Sequence, residues 1–215
     1  MLPRKKDFRI IMLNYTYGTN GLKVDIPRIV NYIDKEIMKG DIAEAKLFNP
    51  DFIIANMHWG LEYERIPSRE QRELADWLLR QGVDLVIGSH PHVVQPMELR
   101  RGKEGVTDRL VVYSLGNFIS NMSREHTDGG VMVKVVLGRK GLRRYIISAQ
   151  YSLIYSSRYK NEQGKEDIRV VPAASWSGKN QNSSFSVDSA LIKYVNNTRL
   201  FLKGNNKEVE EYIFE

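Results

Sequence analysis

Cysteine is absent from the 215 residues of this chain, which excludes disulfide bonds, thiolate metal ligands and cysteine nucleophiles. Any metal would have to be bound by histidine, aspartate, glutamate or asparagine. No run approaches the roughly 20 apolar residues that a membrane-spanning helix needs. The basic residues 1–6 lead into Asp7 and a short apolar strand, so they lack the layout of a signal peptide. We therefore expect no transmembrane segment and no signal peptide in this chain.

Several motifs that would assign a function are also missing. Neither of the glycine-rich phosphate-binding patterns occurs, and no Gly-x-Ser-x-Gly nucleophile elbow is present. Helix-turn-helix, zinc-finger and RNP-like patterns are absent as well. These absences argue against an ordinary nucleotide-binding domain, a serine hydrolase and a nucleic-acid partner.

Positive charge is in excess, with a formal net charge of +6 and an isoelectric point near 9.4. Basic residues cluster at residues 100–103 and again at residues 139–144. A positive surface can attract an acidic polymer or anionic lipid. The simpler interpretation is two solvated turns, and the sequence leaves both open.

The first 120 residues alternate apolar runs with helical patterns. Strands are predicted at residues 8–13, 52–57, 83–87 and 109–113. Asp25 and Pro27 predict the start of a helix that ends at Gly40, followed by a short helix over residues 42–47. A capping-box pattern predicts another helix over residues 68–82. This order indicates an α/β fold with a sheet that is at least partly parallel.

The pattern becomes rich in strands after about residue 130. We predict strands at residues 131–137, 142–151 and 168–172, a hairpin turn at 138–141, a polar loop at 180–184, a helix at 188–194 and a short helix around Val209. The chain is predicted to be one domain, residues 1–215. Its α/β part covers residues 1–125, and its β-rich part with terminal helices covers residues 126–215.

Three of the four histidines, His58, His90 and His92, directly follow predicted strands. The carboxyl ends of strands border the ligand crevice of open α/β sheets. Two imidazoles two residues apart in an extended chain project the same way, and Pro91 stiffens that segment. The sequence therefore predicts either a metal site at these three residues or histidines that stabilise their loops by hydrogen bonds. His126 lies in a polar loop and is expected to face water.

Other polar residues follow the same strands. Glu62 can be a metal ligand, a general base or the carboxylate that orients His58, and Asn117 can coordinate a metal, bind substrate or cap a turn. We expect Glu62 and Asn117 to be catalytic. Asn20, in the glycine-containing turn at residues 16–21, and Ser89 are expected to bind substrate.

Three segments closely resemble one family. Residues 58–63 (His-Trp-Gly-Leu-Glu-Tyr), 84–96 and 113–118 (Tyr-Ser-Leu-Gly-Asn-Phe) are similar to motifs of the CapA family of bacterial capsule and poly-γ-glutamate biosynthesis proteins. The resemblance covers about residues 8–150. It implies a calcineurin-like metallophosphatase fold, a four-layer α/β/β/α sandwich with metals between loops at the sheet ends. His58, His90 and His92 match the histidines of the family's motifs.

The resemblance also implies a function. It implies a capsule biosynthesis protein that acts as a metal-dependent hydrolase or transferase, with Zn, Mn or Fe as cofactor. The expected partners are an anionic polymer or a phosphorylated small molecule, and other capsule-synthesis proteins. The parent protein is expected to be extracytoplasmic or membrane-associated. The alternative is a non-catalytic scaffold whose basic surface binds the anionic polymer.

The sequence departs from the family's pattern at its acidic motifs. Gly40-Asp41 is the only Gly-Asp pair before His58, and it follows a predicted helix end rather than a strand end. We therefore expect the chain to correspond to the C-terminal portion of a CapA-like domain, with the sandwich incomplete at its N-terminus and metal binding weak or absent. Three imidazoles can hold one Zn²⁺ with water in the fourth position. A two-metal centre would lack most of its carboxylates.

Overall fold

The computed structural model describes residues 8–103, 108–141, 143–175 and 189–213. Their elements in chain order are β1 (Ile10–Thr16), α1 (Lys35–Leu47), β2 (Phe52–His58), α2 (Arg69–Gln81), β3 (Leu85–Ser89), β4 (Met97–Arg100), β5 (Arg109–Val112), β6 (Gly129–Lys140), β7 (Arg143–Lys160), β8 (Glu166–Pro172), α3 (Ser189–Asn205) and β9 (Glu210–Glu211). The fold is mixed α/β, as the sequence predicts. No described helix is both long and apolar enough to cross a membrane.

Five strands form the first sheet, in the order β1-β2-β3-β5-β4. The first four are parallel neighbours, and only β4 runs antiparallel to its partner β5. Thr16 pairs with His58, and His58 pairs with Ser89. The carboxyl ends of β1, β2 and β3 therefore meet at one edge of the sheet.

The second sheet is built on the β6–β7 hairpin. It has the order β6-β7-β8 with antiparallel pairs, and the short β9 adds to β7 in parallel. Gly141 at the hairpin turn has a φ of 61°, a conformation that favours glycine. The predicted turn at residues 138–141 is thus displaced by two residues, because β6 continues to Lys140.

The two faces of the first sheet pack into different cores because successive side chains of a strand point to opposite faces. Phe52, Leu85 and Leu110 belong to a core shared with the second sheet and α3. Ile53 and Val86 belong to a core shared with α1 and α2. An apolar cleft of about 570 Å³ opens between the two sheets on the side of β1 and β6.

Helix α2 begins at a capping box, as the sequence predicts. The Ser68 hydroxyl accepts from the Gln71 N–H, and the Gln71 side chain accepts from the Ser68 N–H. The helix ends at Gly82, which has a φ of 101° and donates its N–H to the carbonyl oxygens of the last turn.

We expect Ser68→Ala to lower the free energy of unfolding by about 1 kcal/mol, since it removes the acceptor for one helix N–H. Urea denaturation followed by circular dichroism measures this change. Ser123→Ala, at an exposed loop position, is the matched control and should change stability by less than about 0.5 kcal/mol. Equal effects of the two substitutions would contradict the capping role.

The helix predicted between Asp25 and Gly40 is wrong. Helix α1 begins at Lys35, where the Asp34 carboxylate accepts from two backbone N–H groups, and Gly40 lies inside it. The separate helix predicted over residues 42–47 is the last part of α1. Residues 31–33 instead pair with β1, because Thr16 donates to the carbonyl oxygen of Asn31 and accepts from the N–H of Ile33.

The end of the chain also differs from the prediction. Helix α3 continues to Asn205, well beyond the predicted end at residue 194. The helix expected around Val209 is wrong, because Glu210 and Glu211 form β9 against β7. Strand β4 was not predicted. The polar loop expected at residues 180–184 lies outside the described residues, as does Asp188.

Candidate metal centre

Strands β2 and β3 bring His58 and His90 side by side at the carboxyl edge of the first sheet. His58 is the last residue of β2, and His90 directly follows β3. Their ring centroids are 4.6 Å apart. These two imidazoles therefore meet at the sheet edge that the strand pattern of the sequence indicates.

The segment from His90 to His92 is a turn and not extended chain. The φ angles are 101° at His90 and 62° at His92, so the extended geometry expected from the sequence is wrong. Non-glycine residues in this left-handed region carry strain of the order of 1–2 kcal/mol each, and such residues concentrate at functional sites. The turn still brings the two rings together, with centroids 6.0 Å apart.

The loop that carries Glu62 is attached to this turn by hydrogen bonds. The N–H of Tyr63 donates to the carbonyl oxygen of Pro91 at 2.7 Å. The Gln95 side chain donates to the carbonyl oxygen of Glu64 at 2.8 Å and accepts from the Gln71 side chain. These contacts hold the Glu62 carboxylate beside the histidines.

Glu62, His90 and His92 each offer a ligand atom, and these three atoms lie within 4.8 Å of one another. One carboxylate oxygen of Glu62 is 3.9 Å from Nε2 of His92. Two ligands of one Zn²⁺ can be at most about 4.2 Å apart at normal bond lengths. The donor set fits a small divalent ion after modest side-chain rotation. In the described part of the chain no other group of histidines and carboxylates meets the same distance criterion.

Asn117 determines which nitrogen of His92 carries the proton. The Asn117 amide nitrogen donates to the carbonyl oxygen of Thr127 at 2.9 Å, which leaves its oxygen facing Nδ1 of His92 at 3.0 Å. An amide oxygen can only accept, so Nδ1 of His92 donates. In the neutral ring the lone pair is then on Nε2, the atom that faces Glu62. Metal-binding histidines are commonly oriented by such a second hydrogen bond.

Burial lowers the pKa of His58, and the electrostatic interaction with the His92 ring lowers it further. Burial also lowers the pKa of His90, with His58 acting in the same direction and Glu62 opposing it. Both shifts favour the neutral ring, and neutral imidazole is the form that binds metals.

His58, predicted from the sequence as a metal ligand, stands beside the ligand-atom cluster, and Glu62 provides the third of the atoms that lie within 4.8 Å of one another. The His58 ring stacks on Tyr17, with centroids 5.7 Å apart and planes 7° apart, and the Tyr17 ring also lies 4.4 Å from that of His90. Asn20 is exposed and accepts from the Tyr17 hydroxyl at 2.7 Å. Ser89 lines the apolar cleft between the sheets, with its hydroxyl 3.5 Å from the carbonyl oxygen of Met57.

Sequence reasoning missed three residues of this site: Tyr17, Tyr63 and Arg124. The Tyr63 ring lies between His92, at 6.0 Å, and the Arg124 guanidinium, at 3.9 Å. Burial and the neighbouring Glu62 raise the pKa of Tyr63. Tyr63 lies inside the motif at residues 58–63 and Tyr17 inside the turn at residues 16–21, so their positions could have indicated them. Arg124 comes from a distant loop and carries no such signal.

His126 does not simply face water as expected. It is partly buried, and burial lowers its pKa, with Arg65 acting in the same direction. Its φ of 68° places it in a turn of the loop before β6. The loop packs against the rest of the molecule, which the polar sequence around His126 does not indicate.

Comparisons with known proteins agree with the motifs at this edge. Over 115 residues, 54% of the chain, the sequence is 34% identical to PGA biosynthesis protein CapA of Bacillus subtilis (strain 168). Over 107 residues, 50% of the chain, it is 35% identical to capsule biosynthesis protein CapA of Bacillus anthracis. The matched part covers 28% and 24% of these relatives, so the chain spans about a quarter of their length. Residues 2–122, more than half of the chain, match the family described as bacterial capsule synthesis protein PGA_cap, and the chain therefore belongs to that family.

Proposed function

We propose that this protein acts in bacterial capsule biosynthesis of the CapA type and that Glu62, His90 and His92 bind one divalent metal ion. The observation that carries the proposal is the convergence of these three ligand atoms within 4.8 Å. The hydrogen bond from His92 to Asn117 supports it, because that bond directs the free lone pair of His92 toward Glu62.

The surrounding residues have roles that follow from their contacts. His58 and Tyr17 pack against the His90 ring and restrict its orientation. Arg124, stacked on Tyr63, places a positive charge beside the site and would attract an anionic substrate group. A bound divalent ion would supply Lewis-acid polarisation of a substrate oxygen. The proposed reaction is hydrolysis or transfer on a phosphorylated or γ-glutamyl substrate.

The finer architecture and the location of the protein are part of the same proposal. We infer the four-layer metallophosphatase-like sandwich from the family's motifs together with the two packed sheets. Capsule biosynthesis is an activity at the cell surface, so the whole protein would work outside the cytoplasm or at the membrane, with other capsule-synthesis proteins as partners.

The proposal is tested with the purified chain, loaded with Zn²⁺ or Mn²⁺ and dialysed. We expect about one ion per chain by elemental analysis, and cleavage of a generic phosphodiester or a γ-glutamyl anilide that stops when a chelator is added. Glu62→Gln should lower both metal content and activity. A chain that retains no metal at micromolar free ion would contradict the proposed site.

Asn117→Ala should weaken metal affinity about 10- to 100-fold, the usual effect of removing a group that orients a metal-binding histidine. Asn117→Asp keeps an acceptor for His92 and should retain most of the affinity. Isothermal titration calorimetry measures the metal affinity of the metal-free unaltered chain and of both Asn117 variants. Asn196→Ala, at an exposed position of α3, is the control. Equal affinities for Asn117→Ala and the unaltered chain would refute the orienting role.

A further inference from the structure

A second concave surface lies at the other end of the parallel strands. A cavity of about 500 Å³ opens where β2, β3 and β5 begin. Its charged lining residues are Lys46, Asp51, Asp84, Arg109, Arg139 and Arg144. Strand β2 has seven residues, and each adds about 3.3 Å. The cavity is therefore about 20 Å from the candidate metal centre.

The two carboxylates of this cavity are engaged in contacts within the fold. Asp51 accepts from the backbone N–H of Arg9 and from the Arg139 guanidinium. Asp84 accepts from the Ile53 N–H at 2.8 Å and pairs with Arg109. Four cationic side chains face these two acids, so the cavity keeps a net positive charge.

Arg144 forms no salt bridge within the described part of the chain, although Asp51 and Asp84 interact with its charge electrostatically. Its guanidinium donates to the carbonyl oxygens of Pro50 and Asp51 at 2.8 and 2.7 Å, and these neutral acceptors leave the charge in place. Lys140 and Arg143 extend the positive surface along the turn of the β6–β7 hairpin, and both are exposed. We call the cavity together with these two residues the hairpin basic surface.

In the other basic cluster of the sequence, two of the three basic residues are paired with carboxylates, and only Lys103 has no salt bridge among the described residues. Arg100 pairs with Asp76 and Glu98. Arg101 pairs with Asp108 and Glu208. Of the two clusters, the one at residues 139–144 is therefore where the excess charge remains available.

We propose that the hairpin basic surface binds a linear polymer of carboxylates, a second site for the acidic capsule chain away from the metal centre. This proposal rests on the proposed function, which supplies the class of polymer. Carboxylate repeats match spaced guanidinium and ammonium groups. Nucleic acid is disfavoured, because no aromatic ring is among the described residues that line the cavity itself. The nearby Phe8 ring is already engaged by Phe52 and Arg139.

The test uses fluorescence anisotropy with labelled poly-γ-glutamate at low and at high salt. The double variant Lys140→Glu/Arg143→Glu should bind about tenfold more weakly, and binding by the unaltered chain should fall steeply with salt. The matched control is Lys160→Glu/Lys165→Glu, the same charge change on the exposed turn of the β7–β8 hairpin. That control should bind within about twofold of the unaltered chain, since Glu162 and Glu166 already neutralise its surroundings.

Three outcomes would overturn the proposal: no binding of the polymer, equal weakening by the two double variants, or tighter binding of a single-stranded oligonucleotide of the same length. Thermal unfolding of both variants verifies that the fold is kept. Metal content is measured on the same samples. Loss of polymer binding with metal content unchanged supports the basic surface, whereas failure to bind metal refutes only the proposed metal centre.

Discussion

Replacing both His90 and His92 with alanine should remove metal binding altogether. Each substitution deletes one of three ligands, so the remaining Glu62 carboxylate offers no chelate, and we expect more than about a 100-fold loss of affinity. Elemental analysis after dialysis should give about one ion per unaltered chain and none per double variant. Any cleavage of the phosphodiester should disappear with the metal.

The control for this experiment is His126→Ala, because His126 is a partly buried histidine outside the ligand-atom cluster. It should leave metal content unchanged. Alanine keeps a Cβ and so does not relieve the positive φ at either position. Unfolding should therefore be measured in parallel. Unchanged metal stoichiometry in the double variant would mean that the ion is bound elsewhere, and the proposed centre would be wrong.

Gly88→Ala should destabilise the fold by at least about 3 kcal/mol, the upper part of the range for overpacked cores. A Cβ at residue 88 would overlap the carbonyl oxygen of Tyr113 and meet Nε1 of Trp59 at 2.5 Å. It would enter the hydrogen bond that Trp59 donates to this carbonyl oxygen at 2.9 Å. The Tyr113 carbonyl oxygen is a backbone atom and cannot rotate away, so β3 and β5 would have to separate.

Denaturant unfolding measures this loss, and Gly40→Ala is the matched control. Gly40 lies inside α1 with nothing within 4 Å of an added Cβ, so alanine there should stabilise the chain by about 1 kcal/mol. The two substitutions should change the free energy of unfolding in opposite directions, so comparing them tests the packing around residue 88 directly. A Gly88→Ala chain as stable as the unaltered one would show that the contact between β3 and β5 is less tight than described.

The sequence predicted an element correctly where residues close together in the chain determine its structure. Helix α2 was predicted with its capping box because Ser68 and Gln71 are three residues apart and satisfy each other. The start of α1 was predicted wrongly because the apolar spacing after Asp25 resembles a helix. Pairing of residues 31–33 with Thr16 removes those residues from any helix, and sequence spacing does not contain that contact.

The candidate metal centre likewise depends partly on local sequence patterns and partly on contacts between distant residues. The strand pattern alone indicated that His58 and His90 lie at one edge. The place of Glu62 among the ligand atoms depends on hydrogen bonds from Tyr63 to Pro91 and from Gln95 to Glu64, which join separate loops.

The α/β class, strands β1, β2, β3 and β5, helix α2, the family motifs and the two basic clusters were predicted from the sequence alone. Periodicity, caps and motifs are properties of neighbouring residues. Tertiary structure decided which carboxylate meets the histidines and which basic cluster keeps its charge. Asp76 and Glu208 pair with Arg100 and Arg101 of the cluster at residues 100–103 from distant positions. Electrostatic and ligand geometry depends on distances in space, and only the folded chain sets those distances.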